Sequence, residues 1–109
     1  MKYDVAMENG YAVVRLQGEV DLHRSPEARK AILGCLQQGH HTLVDLSGVQ
    51  YIDSSGVASL VEGLQLARDQ QLQFGLVAVS EATLNVLKLA RLDTVFAIQP
   101  DASGFPGPA

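Results

Sequence analysis

The chain has 109 residues, 47% of them apolar and 18% charged, a length that fits one domain and a composition too hydrophobic for a disordered chain. Its 8 Lys and Arg against 12 Asp and Glu leave a net charge of -4 with no basic run, which excludes nucleic acid as an expected partner because phosphate backbones are repelled. Cys35 is the only cysteine, which excludes an internal disulfide or a multi-cysteine zinc site and points to a reducing compartment.

The opening residues Met1-Lys2-Tyr3-Asp4 lead into an alternating stretch, not an apolar signal core, and no apolar run reaches membrane-spanning length. A cytoplasmic protein without direct membrane insertion is expected. Tyr3 to Met7 and Tyr11 to Gln17 read as two strands, with Glu8-Asn9-Gly10 as the turn of a hairpin. After Gly18-Glu19-Val20-Asp21, Ser25-Pro26-Glu27 suggests a helix start, with Ser25 as cap and Pro26 in the first turn. Ala28, Ile32, Cys35 and Leu36 share one face of that helix, and Gly39 with His40 ends it.

Thr42 to Leu46 reads as a buried central strand, and Ser47 to Ile52 as a connecting loop. From Ser54, the recurrence of Val57, Leu60, Val61, Leu64 and Ala67 predicts an amphipathic helix, with Ser59, Glu62, Gln65 and Arg68 on its outward face. Gln73 to Val79 is expected as a further strand, and Ser80-Glu81 opens a third helix that turns Leu84, Leu87 and Ala90 inward. Thr94 to Ile98 closes the set as a short strand. The expected architecture is α/β, a mixed sheet of four to five strands with helices packed against it, over residues 1–100. Residues 101–109, rich in Gly and Pro, are expected to form a loose, flexible tail.

The usual catalytic signatures are missing: there is no phosphate-binding glycine loop ending in Lys-Ser or Lys-Thr, no Gly-x-Ser-x-Gly elbow and no His-Glu-x-x-His pair. His40 and His41 fall at a helix end, where imidazoles meet exposed carbonyls and the helix dipole, and no third ligand stands at metal-binding spacing. No metal or cofactor is expected, and the chain reads as a binding protein, not an enzyme. A receiver domain accepting phosphate on Asp45 or Asp53 fits poorly, since the acidic pair and the late lysine of such a site are not in place.

The segment Tyr51-Ile52-Asp53-Ser54-Ser55-Gly56-Val57 admits two roles. Asp53 or Ser54 can cap the helix, with Gly56 easing the turn; alternatively, Ser54 is a phosphoacceptor at a helix N-terminus, where added charge alters a docking surface without refolding. The Asp53-Ser54-Ser55-Gly56 element, the Gly18-Glu19-Val20-Asp21 element and the strand order together resemble a STAS domain of the anti-sigma factor antagonist family, from about Tyr3 to Pro100.

That resemblance implies that Ser54 is phosphorylated by a partner that is both serine kinase and anti-sigma factor. Asp53 is then its acidic neighbour, Ser55 a helix-start residue beside the switch, and Asp21 lies close by in space. It implies further that the unphosphorylated protein binds the anti-sigma factor and frees a sigma factor, that the phosphorylated form lets go, and that a serine phosphatase resets it. The exposed edge near Ser54, Gly56 and Val57 is expected to meet the partner. Many members follow this motif with Gly-Leu-Gly, whereas Val57-Ala58-Ser59 follows Gly56 here, which bears on partner choice. The alternative within the same family is a cytoplasmic STAS subunit seated on the permease of an ABC-type lipid or anion transporter, with Ser54 as a cap.

Overall fold

A computed structural model of the chain describes residues 3–107. Strands β1 (Asp4–Glu8) and β2 (Tyr11–Val20) form the expected hairpin. Its loop residues Asn9 and Gly10 have φ of 54° and 84°, the positive pair that a tight two-residue turn requires and that Asn-Gly supplies at low cost. Helix α1 (Ser25–Gln37), strand β3 (Thr42–Ile52), helix α2 (Ser54–Asp69), strand β4 (Phe74–Val77), helix α3 (Glu81–Leu89) and strand β5 (Ile98–Gln99) follow. The sheet order is β1-β2-β3-β4-β5, with β1 antiparallel to β2 and every later pairing parallel, as expected of strand-helix-strand crossovers.

Four local expectations are corrected. Ser47 to Ile52 is not a loop but the second half of β3, which stays paired with β2 through two register shifts, one between Arg15 and Gln17 and one between Gly18 and Glu19. The Asp45 carboxylate accepts hydrogen bonds from the Ser47 amide at 2.9 Å and its hydroxyl at 2.7 Å, so polar residues that suggest a turn are absorbed in a bulge. Ser25 is not the cap of α1: it lies inside the helix and is buried, and the Asp21 carboxylate instead closes the preceding turn by accepting from the His23 and Arg24 amides at 3.0 and 3.1 Å. The last strand begins at Ile98 because the chain turns at Leu92, whose carbonyl accepts from the Val95 amide at 3.0 Å. Ala90 lies past the end of α3 and is exposed, leaving Thr83 and Leu87 as its buried residues.

Apolar residues divide between two clusters, one on each face of the sheet. On the helix side, Ala12, Val14, Leu16, Val44, Leu46 and Leu76 of the strands meet Ile32 and Leu36 of α1 and Leu60 of α2. Gly63 lets these two helices close on the sheet, since a Cβ there would sit 2.7 Å from the Ile32 side chain and 2.9 Å from the Phe74 ring. The opposite face carries Tyr11, Val13, Leu43 and Val77, covered by Phe105.

The segment after Pro100, expected to be loose, is therefore packed as far as the structure describes it, while residues 108–109 lie outside the described residues. A short 3-10 turn at Ala102–Gly104 sets Phe105 against the sheet. The Phe105 ring lies over Gly75, where any Cβ would collide with it. The Tyr11 hydroxyl donates to the Pro106 carbonyl at 2.6 Å, and the Asn9 side chain donates to the Ala102 and Phe105 carbonyls, each at 3.2 Å. Composition hid this, because one aromatic residue among Gly, Pro and Ser does the covering.

Candidate functional site

At the C-terminal ends of β2 and β3 the chain makes two turns into helices, and the two sequence elements singled out above meet there. Asp53 has extended backbone geometry and caps α2: its Oδ1 accepts from the Ser55 amide at 2.9 Å, the Gly56 amide at 3.2 Å and the Ser55 hydroxyl at 2.5 Å. Such a cap satisfies amides that have no partner within the helix. The Ser55 hydroxyl above all, with the Gly56, Ser55 and Leu22 amides, holds the Asp53 carboxyl below the usual carboxylate value, against a desolvation effect of opposite sign.

The Leu22 amide, the smallest of these influences, belongs to the loop after β2, which lies close to the start of α2. The Asp53 amide in turn donates to the Val20 carbonyl at 3.4 Å. Gly56 completes the junction, for a Cβ on it would stand 2.6 Å from both the Val20 carbonyl oxygen and the Ile52 side chain. Asp21 follows Val20 directly and is half-buried, its carboxylate engaged by the His23 and Arg24 amides of its own turn.

With Asp53 committed to capping, Ser54 is left over. It is exposed, and its hydroxyl makes no hydrogen bond among the described residues. Ser55, by contrast, is half-buried and engaged, so the two adjacent hydroxyls are not equivalent. Two placements differ from expectation. Val57 is 7% exposed and belongs to the core, so its side chain is closed to a partner. Ser59, expected outward, is buried where α1 meets α2, its hydroxyl donating to the Ser55 carbonyl at 3.2 Å.

Two residues of this end escaped notice in the sequence. Leu22 is 70% exposed and Tyr51 52% exposed; Leu22 follows Asp21 directly and Tyr51 stands two residues before Asp53, and that nearness to a motif acid was their only signal. Together the end presents two carboxylates, a free hydroxyl and two large exposed side chains, over backbone joined by the Asp53 to Val20 hydrogen bond.

The two turns lie at the carboxyl end of an α/β sheet, the edge where such sheets place the residues that meet other molecules. The sequence matches the STAS domain family over residues 2–103, and the chain belongs to that family. A relative from Paenibacillus polymyxa, named an anti-sigma F factor antagonist, is 30% identical over 92% of this chain and 86% of its own length. Among solved structures, an anti-sigma-factor antagonist (STAS) domain protein from Planctomyces limnophilus superposes with a TM-score of 0.84 at 23% identity, covering 95% of this chain and 94% of that one. The Bacillus cell fate determinant SpoIIAA in its phosphorylated form shares the fold with a TM-score of 0.72 at 20% identity, over 94% of each chain.

Proposed function

We propose that this chain is an anti-sigma factor antagonist, a non-enzymatic protein-binding switch whose control point is the Ser54 hydroxyl. The observation that carries the reading is the division of labour at the start of α2: Asp53 takes the amides and the Ser55 hydroxyl, and Ser54 is presented to solvent without a bond to break. A kinase that is also the anti-sigma factor transfers the phosphoryl group to this oxygen. The Ser54 Oγ–P bond forms as the bond to the nucleotide leaving group breaks, and the proton leaves with the kinase's base. A serine phosphatase reverses the state by hydrolysis.

The modified residue carries about -1.5 to -2 charge. The Ser55 and Gly56 amides that could receive it are already held by Asp53, so the phosphoryl group projects beside a carboxylate toward the partner. Its effect is on docking, with the fold unchanged. The names borne by relatives of similar length support this reading over the transporter-subunit one, which the fold alone would equally allow.

The test is a binding titration of the host's anti-sigma factor against the wild-type chain, Ser54→Asp and Ser54→Ala. Weakening by about tenfold or more for Ser54→Asp, with Ser54→Ala matching wild type, is expected. Equal affinity of all three, or association of all three with a membrane permease in its place, would sink the reading.

A further inference from the structure

Away from the switch, the hairpin leaves β1 as a sheet edge with an unfilled groove beside it. The closing pair Glu8–Tyr11 fixes the alternation of the antiparallel ladder, so the amide and carbonyl groups of Val5 and Met7 point away from β2 to the free edge. Their side chains, 48% and 58% exposed, stand on the helix face beside a groove of about 490 Å³ between β1 and α1, lined mainly by Tyr3, Val5, Ala31, Gly34 and Cys35, with the charged Glu27 and Lys30 also in its wall. Gly34 keeps that groove open, since a Cβ added to it would meet nothing within 4 Å. The Tyr3 hydroxyl in its wall is buried without a hydrogen-bond partner among the described residues.

Unpaired strand groups are satisfied in kind by another strand, with alternate side chains read by whatever lies above and below. Above lies the mainly apolar groove, in which Glu27 and Lys30 offset one another in charge. Below, Asp4 stands across from Arg15 in register, and Arg15 already pairs with Glu8 at 3.0 Å and Asp45 at 3.6 Å, so one cation faces three carboxylates and the lower side is net acidic. A second copy is a poor occupant: antiparallel pairing of β1 with itself about Ala6 sets Asp4 opposite the other copy's Glu8, twice, and like charges directly opposite destabilise a ladder.

We infer that the free edge of β1 and its groove dock an extended segment of another protein, with apolar residues opposite Val5 and Met7 and Lys or Arg opposite Asp4 and Glu8. The Tyr3 end of the groove adjoins the turn that carries His23 and Arg24, but Val5 and Met7 lie further along the hairpin, and the inference does not depend on what the Ser54 end binds. The probe is a capped peptide with the core Lys-Val-Ala-Val-Lys, titrated into the isotopically labelled full chain and followed by NMR.

Shifts gathered on the Val5, Met7, Ala31 and Gly34 amides and slowed hydrogen exchange at Val5 and Met7 are expected. Affinity should fall about tenfold in Met7→Lys, an exposed change that spares the fold. A chain carrying both Asp4→Lys and Glu8→Lys should prefer the peptide with Glu in place of Lys. Equal binding of a scrambled peptide, shifts centred elsewhere, or protection of the same amides by self-association without peptide would each overturn the inference.

Discussion

At the residue scale, the proposed switch rests on which of two neighbouring serines is free, and the sequence alone does not say. Asp53 and Ser54 are equally good caps on paper; only the extended backbone of Asp53, with its carboxylate turned onto Ser55 and Gly56, settles which one caps. The meeting of the Asp53-Ser54-Ser55-Gly56 element with the Gly18-Glu19-Val20-Asp21 element, made through Val20, was legible through resemblance and not through spacing. Ser59 was misjudged because helical periodicity sorts faces relative to one core, and α2 buries a second stripe against α1; periodicity did place Val57 inward, and only its expectation as a partner contact fails.

Gly56 tests the junction. Gly56→Ala drives a methyl into the Val20 carbonyl and the Ile52 side chain and should cost about 1–3 kcal/mol, measured by urea denaturation. A cost near zero would mean that the two turns are less tightly joined than the structure has them. Asp53 gives a pH test. Its folded-state carboxyl is held below its ordinary value, chiefly by the Ser55 hydroxyl, so the ionised form favours the fold. That contribution is whole above the unfolded value of about 3.9 and disappears as the pH falls through the folded one. Asp101, held down by the Ser103 hydroxyl, titrates in the same direction. Wild-type stability should therefore drop on acidification below about pH 4, and Asp53→Asn should flatten part of that drop, leaving the share of Asp101. An identical acid slope in wild type and variant would remove Asp53 from the account.

At the scale of elements, the strongly patterned pieces were readable and the marginal ones were not. The Asn9-Gly10 turn and the three helices follow from local chemistry. The second half of β3 does not, because Ser47-Gly48 has loop composition and only pairing with β2 across two shifts makes it a strand. The segment from Asp101 is the sharper case: its only large apolar residue, Phe105, seals the face of the sheet that no helix covers. Phe105→Ala should therefore destabilise by roughly 3–5 kcal/mol, with Tyr11 and Val77 newly open to solvent, as read by thermal melting and by dye binding to exposed apolar surface. A loss under about 1 kcal/mol would show that the cover is dispensable.

At the scale of the whole molecule, an asymmetric plan emerges: helices on one side of the sheet, a single strap on the other, a recognition end at the strand termini and an unpaired strand at one margin. The strap starts at β5 and comes to rest against Tyr11 and Asn9, at the end where the parallel strands begin. Ser54 lies where they finish, and β2 alone, Tyr11–Val20, spans about 30 Å between the two at 3.3 Å per residue. Whatever is joined to this domain beyond Gly107, whether a fluorophore, a resin or a neighbouring domain, is thus tethered at the pole opposite Ser54. A protein that docks at Ser54, as proposed, would approach an immobilised or fused copy as freely as one in solution.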